Sequence, residues 1–299
     1  MTLKDRLIDF LLKNAHHLSE IYEAFPGEKE STIRGRLNEN INSCFKRVGR
    51  GVYIATVGDS QCALIEGDAW EVLADFEDDS FDAIITDPPY AVLNDQMQRG
   101  TTRKRNLNKG WDFETKDLDH DLFSQMHRVL KPNGHFFCFM PAAKADTIDY
   151  IYNQVKLAEN AGFTFNSQWV WDKKVISLGY NGRPRHELIL FFSKGKRRRI
   201  NNSIPDVLTH ARVMGKNKVH QTEKPVELLI ELLKFSTNPG DTVLDPFAGS
   251  FSLGMAAMLT DRFAVGIEMS KEFLTAGFDR LKNDLGFNKP KGSRITEWS

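Results

Sequence analysis

A chain of 299 residues has room for about two domains, or for one large α/β domain with an appendage. Its 40 basic and 40 acidic residues leave a formal net charge of +0, which excludes a polycation; any grip on phosphate must come from local basic patches. The apolar stretches are too short to span a bilayer, and Met1-Thr2-Leu3-Lys4-Asp5-Arg6 lacks a signal peptide's apolar run. No membrane partner and a cytoplasmic location are therefore expected.

Residues 1–56 open with Leu3, Leu7, Ile8, Leu11 and Leu12 at helical spacing. A second helix is expected from Leu18 to Phe25, capped by Ser19 and stopped by Pro26-Gly27. A third begins near Ser31 and carries Ile33, Leu37 and Ile41 on one face, leaving Arg34, Arg36, Asn38 and Asn40 to the others. Phe45–Val48 and Gly51–Ile54 flank Gly49-Arg50, the pattern of a β-hairpin with a basic tip. Three helices and a hairpin are similar to a winged helix-turn-helix, whose third helix reads the major groove. Arg34, Arg36 and Asn38 are thus candidate DNA contacts. The alternative is a small helical cap that packs on the main domain or on a partner.

From residue 59 onward short apolar strands alternate with helical segments, the pattern of an α/β domain with a mainly parallel sheet. Seven strands are expected, at Ala63–Glu66, Ala83–Thr86, His135–Phe139, Trp169–Trp171, Leu188–Phe192, Thr242–Leu244 and Ala264–Ile267. Turns are expected at Lys131-Pro132-Asn133-Gly134 and Asn238-Pro239-Gly240-Asp241. Residues 94–110 read as a long mobile loop, where Arg103, Lys104 and Arg105 are further candidate DNA contacts. Cys44, Cys62 and Cys138 lie outside any paired spacing, so reduced, buried thiols are expected. The eight histidines show no metal spacing, and no metal site is expected.

Two segments carry chemistry. In the first, a buried strand, Thr242–Asp245, runs through Pro246-Phe247-Ala248-Gly249 into a helix, and Glu268 ends the following strand. Glycine lets backbone approach a ligand closely, and the acid can bond ribose hydroxyls. Phe251 stands where a dinucleotide pyrophosphate would need another glycine, which argues against NAD. In the second, Asp87-Pro88-Pro89-Tyr90 directly follows an apolar strand, at the sheet edge where α/β folds bind ligands. An exocyclic amino group is a poor nucleophile because its lone pair is delocalised into the ring. A carboxylate and a backbone carbonyl that accept its two N–H bonds free that pair and stabilise the charge that develops on attack. The prolines stiffen the loop, and an aromatic ring can stack on a base turned out of its helix.

With these residues in this order, the chain resembles the amino-methyltransferases of DNA, in the permuted arrangement called the beta class. There Asp-Pro-Pro-Tyr precedes Phe-x-Gly. The resemblance runs from about residue 60 to 285. It includes Glu66-Gly67-Asp68, Leu130–Gly134, Trp171-Asp172-Lys173, His186-Glu187 and His220-Gln221-Thr222-Glu223-Lys224-Pro225. It implies a Rossmann-like methyltransferase domain over 59–299 that uses S-adenosylmethionine. The substrate it implies is double-stranded DNA with a flipped base; a homodimer is left open.

Asp87, the Pro88 carbonyl, Pro89 and Tyr90 would then hold and stack the target base. Asp245, Phe247 and Gly249 would line the methionine and ribose, Glu268 would bond the ribose, and Asp68 would meet the adenine. Thr222 and Lys224 would approach the methionine carboxylate. The Asp form of the target motif implies adenine N6, where Ser would imply cytosine N4. Phe251 departs from the family pattern and bears on pocket shape. Only about 193–219 remains for a recognition region, and Arg197, Arg198 and Arg199 within it suit the phosphate backbone better than base reading. Cytosine-N4 methylation, an RNA substrate, and a DNA-binding regulator without catalysis stay open as alternatives.

Overall fold

The structure, a computed structural model, describes residues 2–11, 16–40, 45–49, 51–55, 62–89, 118–145, 147–177, 182–196, 203–213 and 223–284. Its N-terminal elements are α1 (Leu3–Leu11), β1 (His16–His17), α2 (Leu18–Ala24), α3 (Glu30–Glu39), β2 (Phe45–Gly49) and β3 (Val52–Ala55). Leu7, Leu11, Ile21, Ile33, Leu37, Phe45 and Tyr53 close a small core of their own. The expected helices and hairpin are present, with two differences. Strand β1 adds to β3, making a three-stranded antiparallel sheet in the order β1-β3-β2. That pairing holds His17 extended just ahead of α2, so His17 rather than Ser19 is the N-cap. The His17 ring accepts the Ser19 N–H, and Glu20 reaches back to the His17 N–H.

The larger part runs β4 (Cys62–Glu66), α4 (Ala69–Asp75), β5 (Phe81–Thr86), α5 (His120–Val129), β6 (Leu130–Met140), α6 (Ile148–Asn160), β7 (Thr164–Asp172), β8 (His186–Ser193) and β9 (Val207–Thr209). It continues through α7 (Val226–Ser236), β10 (Thr242–Asp245), α8 (Ser252–Met258), β11 (Phe263–Glu268) and α9 (Lys271–Asp284). One sheet joins its strands in the order β4-β11-β10-β5-β6-β8-β7-β9. The first five are parallel, β8 is antiparallel to both β6 and β7, and β9 lies parallel to β7. The expected seven strands all occur, and β9 makes an eighth. Three residues bounded by bends are too few to show a period in sequence. The turn expected before β6 is instead absorbed into that strand, which starts at Leu130 and keeps Asn133 at φ 65°.

Every residue of β5 is buried, because helices cover both faces of the sheet. Alternation sends Ile84, Phe136 and Cys138 into one core and Ala83, Ile85, Phe137 and Phe139 into the other. Cys138 is buried as expected, whereas Cys62 is only partly so. From β10 the chain crosses through α8 to β11 on one side, and from β5 it leads to β6 on the other. The two strands lie side by side, so their C-terminal ends open the crevice at which open α/β sheets take ligands.

Candidate active site

Three acids stand at that crevice because three adjacent parallel strands end there: Asp245 closes β10, Glu268 closes β11, and Asp87 follows β5. The Thr86 hydroxyl donates to Asp245 Oδ1 at 2.7 Å, and the Phe247 N–H donates to the same oxygen at 3.1 Å. One buried bond thereby locks the end of the target-motif strand to the end of the cofactor-motif strand. Burial pushes Asp245 up to about 7; the bonds from Thr86 and Phe247 oppose the rise, and the nearby Asp87 and Glu268 charges add to it.

The turn after β10 is held by Glu268. Its Oε2 accepts the Gly249 N–H and its Oε1 the Ser270 N–H, both at 2.8 Å. Burial raises the pKa of this carboxyl, against the backbone N–H groups that favour its charged form. Gly249 sits at φ 51°, and a Cβ built there would meet nothing within 4 Å. A left-handed glycine facing open space beside a backbone-anchored acid fits an adenosyl ribose.

Phe251, expected to bear on the pocket, is fully buried and points away from it. Added Cβ atoms at Gly254 and Gly266 would come within 2.5 and 2.6 Å of its ring. Those two glycines make room for a phenylalanine that packs beneath the turn, and its cost is a left-handed backbone at φ 53°. At the neighbouring strand end Asp68 caps α4 by accepting the Trp70 N–H at 2.9 Å, and the Trp70 ring meets Phe247 edge-on with centroids 5.9 Å apart.

Lys224, just ahead of α7, is brought to the target motif. Its Nζ lies 2.5 Å from Asp87 Oδ2 and 3.2 Å from Glu187 Oε2, over the rings of Phe139 and Trp171 at 4.9 and 5.6 Å. Burial opposes its charge, but the two carboxylates outweigh that and raise its pKa. The neighbouring Glu223 pairs with Arg280 Nη2 at 2.7 Å, and Arg280 Nη1 donates to Ser252 Oγ at 2.8 Å. This buried bridge fastens the Glu223–Pro225 segment to the exit of the glycine turn.

Lys173, Glu187 and Glu223 fell within the motifs that carry the resemblance but had no role assigned, and Thr86 and Arg280 had none either. Each acts through a partner far away in the chain, and no local spacing announces such a pair. Tyr90, Thr222, Arg103, Lys104, Arg105, Arg197, Arg198 and Arg199 lie outside the described residues. Of the basic stretch that begins after β8, Lys194 is committed internally: its Nζ lies 2.7 Å from both Asp79 Oδ1 and the Leu130 carbonyl oxygen. Arg34, Arg36 and Asn38 are exposed on α3. Arg34 donates to the Tyr22 hydroxyl, and Arg36 pairs with Glu39 at 2.7 Å. Among the described residues no group of three or more His, Cys, Asp or Glu could hold a metal, and no helix is long and apolar enough to cross a membrane.

A mainly parallel sheet whose crevice joins an adenosyl-type turn to an Asp-Pro-Pro loop defines a Rossmann-like methyltransferase, with S-adenosylmethionine as cofactor. The N6/N4 family described as DNA methylase matches residues 81–279, and the chain belongs to it; its substrate is DNA. The type II methyltransferase M.HpaI of Haemophilus parainfluenzae is 33% identical over 253 residues, spanning 75% of this chain and 76% of that one. The structure of an M1.HpyAVI–SAM complex superposes with a TM-score of 0.53 at 25% identity, covering 74% of this chain and 99% of that chain. The PvuII DNA methyltransferase, a cytosine-N4-specific enzyme, gives 0.57 at 20% identity, covering 74% and 86%.

Proposed function

We propose that this DNA methyltransferase acts on N6 of adenine, with the base turned out of the duplex into the crevice beside Asp87. The observation that carries the reading is Asp87 itself, a carboxylate at the end of β5 on the strand adjoining the cofactor turn. When bound, the cofactor supplies an electrophilic methyl group on sulfonium sulfur. Asp87 and the Pro88 carbonyl accept the two N–H bonds of the amino group and hold its lone pair toward that methyl, and Tyr90 stacks on the ring. Asp87 and the Pro88 carbonyl would thereby steady the positive charge that the amino nitrogen gains on accepting a methyl group, and the proton it sheds would pass to solvent. Asp245, Gly249 and Glu268 would hold the cofactor, with Asp68 at its adenine and Thr222 at its carboxylate. Orientation in such a site supplies much of the acceleration.

The test is to methylate plasmid DNA with labelled cofactor, digest it to nucleosides and identify the product. N6-methyldeoxyadenosine is expected, and N4-methyldeoxycytidine would overturn the reading.

Residues 1–56 lie outside the family match, and we infer that they form a DNA-contacting domain beside the catalytic domain of 59–299. The exposed Arg36–Glu39 pair is screened by water and can be exchanged for a DNA contact. Replacing Arg34, Arg36 and Asn38 together is expected to change the map of methylated sites, because lost base contacts relax specificity at particular positions. An unchanged map with weaker binding would mean that α3 only anchors the duplex.

A further inference from the structure

Asp87 is the end of a chain of four alternating charges. Lys224 follows, then Glu187, and then Lys173, whose Nζ lies 3.1 Å from Glu187 Oε1 and 3.3 Å from Ser177 Oγ. The four come from four places in the fold: the exits of β5 and β7, the second residue of β8, and the approach to α7. The two lysine side chains are nearly enclosed, at 9% and 11% exposure. A buried ion is costly unless it is paired, and here each inner ion is paired on both sides.

We propose that Glu187, braced by Lys173, is a positioning residue for methyl transfer: it holds Lys224 where its ammonium aims Asp87 at the target amino group. This rests on the role given to Asp87 above. Lys224 is shared between two carboxylates, so the pull of Glu187 sets how much of the lysine charge falls on Asp87. Without that pull the ammonium closes fully onto Asp87, and the carboxylate becomes a poorer acceptor for the N–H bonds of the base. Without Lys173, Glu187 draws Lys224 the other way and Asp87 loses its guide.

The groups facing Lys224 come from every element around it. They are Asp87, Glu187 and Lys173, the rings of Phe139 and Trp171, the Cys138 thiol and, near that thiol, Asp245. Burial raises the Cys138 thiol well above its ordinary range, and the Asp87 and Asp245 charges raise it further, so it stays neutral. Asp87 and Glu187 together therefore keep Lys224 charged, and removing either lowers its pKa.

Glu187→Gln tests the proposal in the full-length enzyme. Methyl transfer to DNA gives kcat and KM, calorimetry gives the affinity for S-adenosylhomocysteine, and a thermal melt reports folding. The expected result is a fall in kcat of about ten- to a hundredfold, the scale of one charged contact, with S-adenosylhomocysteine affinity retained. The alkaline limb of kcat moves to lower pH, because Lys224 gives up its proton more readily. Glu187→Asp, which keeps the charge, restores part of kcat and returns the limb toward its original position.

Unchanged kcat would overturn the proposal. So would a fall in melting temperature and cofactor affinity with the alkaline limb unmoved, the mark of a purely structural role. Should Glu187→Gln fail to fold, Lys173→Gln carries the test from the outer end, where lowered kcat with retained product affinity is expected and unchanged kcat refutes. Failure of the underlying reading looks different: wild-type enzyme would put no methyl on adenine, or Asp87→Ala would keep its turnover.

Discussion

Asp87→Ala is expected to reduce methyl transfer by at least about a hundredfold, the scale on which a single preorganised electrostatic contact acts in a transition state. The loss should fall on turnover. Asp87 stands beyond β5 and is bonded to Lys224, whereas the turn that takes the cofactor is built on β10 and β11 and is held by Glu268. If the turn takes the cofactor as proposed, affinity for S-adenosylhomocysteine should therefore persist. Lys224 keeps Glu187 as a partner in the variant, so the substitution strands no unpaired buried ammonium. Calorimetry beside a labelled-methyl assay makes the comparison. Substantial residual turnover would remove Asp87 from the reaction, and lost cofactor affinity would place it on the cofactor side.

Glu268→Ala is expected to act the other way and weaken cofactor binding by about ten- to a hundredfold, the equivalent of roughly 1.5–3 kcal/mol for a charged hydrogen bond. Two losses contribute. The ribose hydroxyls lose their acceptor, and the Gly249 and Ser270 N–H groups lose the carboxylate that shapes the turn. Glu268→Gln keeps an acceptor of the same reach and should lose less. pH provides a second check. Burial raises the Glu268 carboxyl above its ordinary 4.5, so the ionised form that accepts hydroxyl protons is lost at a higher pH than in an ordinary glutamate. Cofactor affinity should accordingly fall as pH drops through that raised value, and Glu268→Ala should flatten the dependence. An unchanged dissociation constant would mean that the ribose is held elsewhere.

The solved relatives under 25% identity establish the fold rather than the target base. The proposal of adenine rather than cytosine rests instead on the resemblance of Asp87-Pro88-Pro89-Tyr90 to the adenine form of the family's target motif.

Much of this protein was written in local pattern. The strands β4, β5, β6, β8, β10 and β11 show as apolar runs because a mainly parallel sheet covered on both faces buries nearly every residue. The Asp-Pro-Pro loop and the glycine turn show because prolines and a left-handed glycine leave a local signature. What the sequence alone could not determine depended on partners distant in the chain. It could suggest Glu268 as an acid for ribose, but the bond that makes the same carboxylate the brace of the Gly249 turn exists only once β11 lies beside β10. Phe251 read as an irregularity of the pocket until packing turned its ring into the core, between glycines on α8 and β11. Lys224 read only as a cofactor contact, and the fold adds its place between Asp87 and Glu187. A pairing energy depends on distance and burial, and neither exists before the sheet has brought the four strand and helix ends together.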